Sequence, residues 1–473
     1  MTSQRVSWKK AGIMGLGLSG VAAAGFLARR GVQVVAADSK PKELLGDEAL
    51  GLERLGVALR PGAVATSVFE GCEAVIASPG VPAGAGPLAG ARAAGIPVLA
   101  EVELAARFVR GMIIGITGTN GKSTVTSLIG DILKASGLAT RVCGNIGTPM
   151  TTVAEADLAL PDEEALKVHY VVELSSFQLE GIRLLRPHIA LLLNLSPDHQ
   201  DRYTGTDEYY AAKARIFMNQ RGDDVAIVNW DDPGCRQIVE RLASRLFPFS
   251  LTQDLDDGAV LQGGHLVLRR GGRDEMVIEV SKVPIPGRHN LENVLASVSA
   301  AAHCGVASAQ IGRAVSAFRG LPHRLELVTE VAGVSYYNDS KATNVGASAR
   351  ALEAFTSPIV LLLGGYDKGG DFESLRGALG TSSARAGRVR AVVTFGKAGD
   401  DIARRLEGSG PQIVRSGSLA DAVKAASGVA HPGDVVLLAP ACASFDAYTG
   451  YDKRGEDYRA TVRTLVSQTG GPG

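Results

Sequence analysis

GITGTNGKST, residues 115–124, nearly matches the phosphate-loop pattern G-x-x-x-x-G-K-[ST], with one glycine displaced. Counting back from Gly121 and Lys122, the pattern asks for glycine at Ile116, but the chain has it at Gly115. A loop that cradles phosphate needs inward-facing backbone N–H groups, a lysine for the terminal phosphates and a hydroxyl for Mg2+. Gly118 and Gly121 supply unhindered turns, Lys122 the charge and Ser123 the hydroxyl, so the displaced glycine spoils the pattern and spares the chemistry. The apolar run before the loop predicts a strand, and the segment after it a helix from about Ser123 to Ala135. A bare glycine turn lacks that context. What would receive the phosphate is not stated by the loop itself.

Further strands are expected at 168–174 (VHYVVEL), 188–196 (HIALLLNLS) and 224–230 (DVAIVNW), with helical stretches between several of them. Near-continuous apolar strands alternating with helices imply a mostly parallel sheet covered on both faces. Carboxylates that hold a metal beside bound ATP belong at neighbouring strand ends, where Glu173 closes one run and NLSPDHQDRY (194–203) follows the next. Asp198, His199 and Asp201 lie in that second segment. Each of them alone reads as a cap or a solvated loop residue; at successive strand ends they form a candidate site.

Upstream, GLGLSG places Gly15, Gly17 and Gly20 in a G-x-G-x-x-G spacing after a short apolar strand, and a second strand ends at Asp38. That is the dinucleotide-fold fingerprint in its expected context. Glycines serving only helix–strand packing remain the alternative. A strand near 74–80 (AVIASPG) would bring Ser78 and Gly80 to the same crevice. Downstream, the pattern breaks at Gly320 and Pro322, and GVSYYNDS, PIVLLLGGYD, RAVVTFG and DVVLLAP supply the strands of another α/β unit. The expectation is an α/β protein of three domains: a Rossmann-like N-terminal domain (1–103), a central P-loop ATPase-like domain with a mostly parallel sheet (104–320) and a C-terminal Rossmann-like domain (321–473).

Composition agrees with that class. The chain has 473 residues, 45% hydrophobic and 21% charged, as in a soluble globular protein. Lysine plus arginine balances aspartate plus glutamate at 49 each, which gives no net field for nucleic acid or anionic lipid. The five cysteines are scattered without C-x-x-C spacing, which indicates neither a disulfide framework nor a zinc site. Residues 11–28 are uncharged and follow Arg5, Lys9 and Lys10, like a signal peptide, but regular glycines and a directly following strand favour the folded reading.

With these stretches in view, GITGTNGKST, CGNIGTP, ELSSFQLE, LNLSPDHQDRY, YYAAKARIF, GRHNLENVLAS, LPHRLE, NDSKATN and LLLGGYDKGGDF together resemble the Mur ligases of bacterial peptidoglycan synthesis. The likeness runs in order from GLGLSG to PACASFD, and NDSKATN is similar to the D-glutamate-adding branch in particular. It implies ATP and two Mg2+ ions, with UDP-N-acetylmuramoyl-L-alanine and D-glutamate joined through an acyl phosphate. The phosphate acceptor is then the substrate carboxylate. It also implies a cytoplasmic monomer without stable membrane association.

Carried over by motif, Gly118, Thr119, Asn120, Gly121, Lys122, Ser123 and Thr124 cradle the ATP phosphates. Asn290 and Asn293 meet adenine, and Arg324 and Asp339 approach from the third domain. Ser123, Glu173, His199 and a carbamylated Lys213 would hold the metals. From residue type alone Lys213 reads as a surface lysine on a helix. Leu18, Ser19, Asp38, Ser78, Gly80, Asn145, Ser176 and Gln178 would receive the UDP substrate, and Lys341, Thr343, Lys368, Ser444 and Phe445 the D-glutamate. Two departures stand out: Ser39 and Lys40 follow Asp38 where relatives often have Thr-Arg, leaving a Lys40 contact to the diphosphate open, and Tyr451 replaces a phenylalanine. The competing readings are a folate-type polyglutamate ligase, which the first domain and NDSKATN disfavour, and a dinucleotide oxidoreductase or non-enzymatic nucleotide binder, which leaves Lys122, Glu173 and His199 unexplained.

Overall fold

The computed structural model describes residues 6–82, 84–198, 202–203, 205–379 and 388–469. Its strands gather into three sheets. The first holds β1 (Lys10–Met14), β2 (Gln33–Asp38), β3 (Ala58–Pro61), β4 (Ala74–Ala77) and β5 (Val98–Ala100), all parallel, in the order β3-β2-β1-β4-β5. The order reverses direction between β1 and β4. In an open α/β sheet the crevice at such a switch point, beyond the carboxyl ends of the strands, is where ligands sit. Residues 11–28 are a strand, a turn and the helix Leu18–Ala28, and no helix among the described residues is long and apolar enough to cross a membrane.

The second sheet comprises β6 (Met112–Thr117), β7 (Thr140–Gly144), β8 (His169–Glu173), β9 (Ile189–Leu192), β10 (Val225–Asn229), β11 (Arg245–Ser250), β12 (Gly258–Gln262), β13 (His265–Arg270) and β14 (Arg273–Glu279). Its order is β14-β13-β12-β11-β10-β9-β6-β8-β7, parallel from β7 to β12 and antiparallel at the far edge. The edge meander was not among the expected strands, although its turns carry a signal. Gly263 and Gly264 have φ of 55° and 77°, and Gly271 and Gly272 have 54° and 74°. Two consecutive residues with positive φ define the primed hairpin turn that only a pair such as Gly-Gly adopts without strain. The helix Lys122–Ala135 packs its apolar face on the sheet through Val125, Leu128, Ile129, Ile132 and Leu133. That spacing puts the five side chains on one stripe, each contributing about 1.5–3 kcal/mol on burial.

The third sheet contains β15 (Glu326–Val331), β16 (Val334–Asn338), β17 (Ile359–Gly364), β18 (Val389–Phe395), β19 (Gln412–Arg415) and β20 (Val435–Ala441), in the order β15-β16-β20-β17-β18-β19. β15 alone is antiparallel. β17 and β20 are buried at every residue, as strands covered by helices on both faces must be. The chain divides into two compact units: residues 1–283 and 291–317 hold the first two sheets, and residues 284–290 and 318–473 hold the third.

Within the first unit a short connection, the helix Glu101–Ala106, joins the two sheets. Glu103, fully buried, accepts backbone N–H groups from Arg183, Leu184 and Leu185 at 3.0, 3.0 and 2.8 Å and also pairs with Arg107. Glu101 accepts the Thr151 N–H at 2.5 Å and its hydroxyl at 2.6 Å, and burial pushes its carboxyl up to about 7. Arg29 and Arg30 of the helix Leu18–Ala28 region reach Glu155 across the same joint.

Candidate active site

Residues 118–121 turn sharply between β6 and the helix Lys122–Ala135, and the neighbouring strand holds that turn in shape. After β9, Asn194 accepts the Asn120 N–H on its side-chain oxygen at 2.8 Å and donates its amide back to the Asn120 carbonyl at 3.1 Å. The Thr119 N–H donates to the Asn194 carbonyl at 2.9 Å, while the Ser196 N–H donates to the Thr119 hydroxyl at 3.1 Å. Asn194 thus templates the loop, a role that sequence reasoning missed although the residue sits at the strand end next to β6. Gly121 has φ of 84°, and a Cβ there would strike Asn293. The positive φ favours glycine there, and the close approach brings one expected adenine-binding residue, Asn293, against the loop.

Two lysines converge on one carbonyl. Lys122 donates to the Gly118 oxygen at 2.8 Å and to the Thr119 oxygen at 2.9 Å, and Lys213 donates to the same Gly118 oxygen at 2.8 Å. Lys213 is not a surface lysine: only 1% of it is exposed, and its ammonium lies 4.5 Å from the Tyr209 ring centroid. Burial, followed by the like charge of Lys122, brings its amine down to about 7. At the end of β8, next to β6 in the sheet, Glu173 is 2% exposed; Asn145 donates to its Oε1 at 2.8 Å, whereas its buried Oε2 finds no hydrogen-bond partner among the described residues. An uncompensated buried carboxylate oxygen is what a bound cation satisfies, so the donors fit Mg2+. Asn145, expected to meet the UDP substrate, here orients Glu173 with its side chain and its backbone N–H. His199 lies outside the described residues, as does Asp201.

Across the first sheet's switch point, Asp38 binds the glycine turn: its carboxylate accepts the Leu16 N–H at 2.7 Å and the Lys40 N–H at 2.9 Å. Ser78 donates to the Gly15 carbonyl at 2.8 Å, so these two expected substrate residues also build the crevice they line. Gly15 has φ of 89°, with Val81 and Ser78 crowding the space a side chain would need. Leu18, by contrast, is 69% exposed at the mouth. Gln178 forms a capping box with Ser175 at the start of the helix Ser176–Glu180, and its buried Nε2 has no hydrogen-bond partner among the described residues. Ser176 is buried beside it.

In the C-terminal unit, the adjacent strands β16, β20 and β17 end in NDSKATN, ACASF and GGYDKGG, so sheet order alone brings together the residues expected to bind D-glutamate. The Ala441 N–H donates to the Ala342 carbonyl at 3.0 Å, and Tyr366 and Ala443 bridge their loops. Lys341 stands 4.0 Å from the centre of the Tyr451 ring, so the tyrosine keeps the aromatic face that a phenylalanine would give. Lys368 stands 5.6 Å from the ring of Phe445, Ser444 is buried, and Thr343 continues the turn after Lys341. Asp339 is buried, which raises its carboxyl to about 6 against the pull of Arg324. Asn290 donates to the Pro286 carbonyl at 2.6 Å.

Sequence reasoning overlooked Arg454, which is fully buried and ties those three loops together. It donates to the Ser340 hydroxyl and carbonyl at 3.0 and 2.9 Å, to the Cys442 and Ala443 carbonyls at 3.1 and 3.2 Å and to the Gly364 carbonyl at 3.4 Å. Carbonyl oxygens left unpaired inside a protein cost about 1–3 kcal/mol each. Arg454→Met is therefore expected to destabilise the C-terminal unit by at least about 3 kcal/mol, read as a drop in the urea midpoint; an unchanged midpoint refutes the clamp.

The chain matches the Mur ligase MurD-like N-terminal domain over residues 9–100, the Mur ligase middle domain over 116–301 and the Mur ligase glutamate ligase domain over 323–442. It is 44% identical, over 96% of both chains, to the UDP-N-acetylmuramoylalanine--D-glutamate ligase of Acidobacterium capsulatum. The protein of the same name in Koribacter versatilis is 43% identical, over 98% of this chain and 99% of that one. Among solved structures, the MurF ligase of Thermotoga maritima in complex with ADP superposes with a TM-score of 0.59 at 16% identity, covering 92% of this chain and 95% of that one; this is a likeness of fold. The chain belongs to the Mur ligase family, in the branch whose curated relatives bear the name UDP-N-acetylmuramoylalanine--D-glutamate ligase.

Proposed function

We propose that this chain is an ATP-dependent ligase that adds D-glutamate to UDP-N-acetylmuramoyl-L-alanine in peptidoglycan precursor synthesis. The observation that carries the reading is the convergence of Lys122 and Lys213 on the Gly118 carbonyl, in a phosphate loop flanked by the unpaired carboxylate oxygen of Glu173. The lobes 1–103, 104–320 and 321–473 then divide the work between sugar nucleotide, ATP and D-glutamate.

A carboxylate resists attack by an amine because its oxygen is a poor leaving group. The L-alanyl carboxylate oxygen attacks the γ-phosphorus of ATP, the bond to the β-phosphate oxygen breaks, and ADP leaves. The D-glutamate amine then adds to the acyl phosphate carbon and loses a proton, and phosphate departs from the tetrahedral intermediate to give the amide. Negative charge gathers in both steps, and Lys122 together with the backbone N–H groups of residues 118–121 stabilises it. Mg2+ held by Ser123, Glu173, His199 and a carbamylated Lys213 would neutralise charge on the phosphates when bound.

Arg324 and Asp339 would serve ATP from the third lobe, Asn290 and Asn293 adenine, and Lys341, Thr343, Lys368, Ser444 and Phe445 the two carboxylates of D-glutamate. Leu18, Ser19, Gly80, Ser176 and Gln178 would face the UDP substrate, with Asp38, Ser78 and Asn145 shaping its surroundings. We place the reaction in the cytoplasm, carried out by a monomer.

The decisive experiment follows phosphate release with UDP-N-acetylmuramoyl-L-alanine, ATP and Mg2+ against D-glutamate, L-glutamate, D-alanine and folate. Release is expected with D-glutamate alone, in step with amide formation. Equal release with folate or with none of the amino acids overturns the reading.

A further inference from the structure

Between the first two sheets lies a continuous set of side-chain contacts that no step above uses. Arg202 donates to the Val81 carbonyl at 3.2 Å, next to the turn that carries Ser78, and pairs with Glu180 at 3.0 Å. Its guanidinium stacks over Phe177 at 3.9 Å. The Tyr203 hydroxyl donates to the other oxygen of Glu180, and the Tyr203 ring packs against Tyr209 with centroids 5.3 Å apart. The Tyr209 hydroxyl in turn donates to the Thr119 hydroxyl of the phosphate loop at 3.4 Å, and the same ring lies beside the Lys213 ammonium. Tyr203 and Tyr209 are buried. The set therefore runs from the sugar-nucleotide crevice to the ATP loop through packed groups.

The crevice end is open to a ligand. Arg202 and Gln178 line a cavity of about 100 Å3 shared with Ser78 and Glu180, and both Arg202 Nε and Gln178 Nε2 are buried without an acceptor among the described residues. Two buried N–H donors left without an acceptor, on two residues that line one small cavity, call for an acceptor oxygen, and a sugar-nucleotide substrate is rich in them.

We propose that Arg202 is a positioning residue that links occupancy of the sugar-nucleotide crevice to the phosphate loop through Glu180, Tyr203 and Tyr209. The proposal rests on the ligase reading for the identity of the two ligands. When a substrate oxygen fills the cavity, the guanidinium is fixed between the 78–81 turn and Glu180; Glu180 fixes Tyr203, and the tyrosine pair fixes Thr119. Because ordering of these groups is then shared by both ligands, each one binds a partly organised site after the other.

The test is equilibrium binding by calorimetry, with UDP-N-acetylmuramoyl-L-alanine and the non-hydrolysable analogue adenylyl imidodiphosphate plus Mg2+, each titrated alone and in the presence of the other. In the unaltered chain the sugar nucleotide is expected to tighten the analogue by at least about fivefold. Arg202→Lys keeps a charge for Glu180 but loses the planar fork and the stack, and Tyr203→Phe keeps the ring but loses the hydroxyl. Both are expected to bring the tightening below about twofold while the affinity for the analogue alone stays within about twofold of the original. A merely structural contact would lower the single-ligand affinity or the melting temperature and leave the ratio intact, and that outcome overturns the proposal. So does full coupling in both variants, or none in the unaltered chain. Phosphate release with D-glutamate, measured in parallel, judges the functional reading separately.

Discussion

Lys122→Ala is expected to abolish ADP formation, with a fall of at least about a thousandfold in turnover. The side chain emerges from the first turn of the helix Lys122–Ala135, where the N-terminal peptide dipoles already favour an anion, and its ammonium lies on the carbonyls of Gly118 and Thr119. That position holds the positive charge of the loop itself, and its removal takes away the side-chain cation closest in sequence to the backbone N–H groups that meet the charge developing on the transferring phosphate. Lys122 is only half-buried and spans no part of the core, so the melting temperature should barely move. A phosphate-release assay checks turnover and calorimetry the fold. Near-normal turnover would refute the loop assignment.

The second large effect concerns Lys213. Its amine is buried and pushed to about 7 by desolvation and by Lys122, so near neutral pH about half of it carries no proton. Only the uncharged amine can attack CO2; the new N–C bond forms with loss of one proton and leaves a carbamate with two oxygen donors. At a fixed CO2 pressure the carbamate should therefore build up as pH rises through about 7 and fall roughly a hundredfold per unit below it, since forming it from the ammonium releases two protons. The same depression means that the buried ammonium weakens the fold most below about 7, and that this penalty is relieved between there and the unfolded value of 10.5. Lys213→Ala should lose activity by about a thousandfold and regain part of it with added acetate, whose carboxylate can enter the vacated space. In the unaltered protein, CO2-free buffer should lower activity and bicarbonate restore it. No response of the alanine variant to any small carboxylate would count against the carbamate.

How much of this was legible beforehand differs by element. The phosphate loop, the glycine turn at Gly15 and the strand ends at Asp38 and Glu173 were readable because each couples a backbone requirement to a fixed spacing, and spacing survives in one dimension. Lys213 carried no such mark: its helix, Thr206–Ala214, has no strong apolar stripe, and only family likeness singled the residue out. Its burial comes from tertiary packing, with the loop after β6 meeting its ammonium at the Gly118 carbonyl. Arg454 was invisible for a related reason, since the carbonyls it clamps come from loops brought together by the strand order β16-β20-β17 and not by nearness in sequence. Asn145 was expected to meet the UDP substrate, and its hydrogen-bond partner, the Glu173 carboxylate, emerged only when β7 and β8 paired. Strand order and pairing are what local patterns leave unspecified, and they decided each of these cases.

The three amide protons that converge on Glu103 make the short connection behind the first lobe stiff. Rigid joints of that kind turn two neighbouring lobes into a caliper: under the proposed function, the gap between the jaw that would take uridine and the jaw that would take triphosphate is set before either ligand arrives. On that same proposal, an acceptor one residue longer or shorter would present its carboxyl group off the mark, and the joint would select by molecular length.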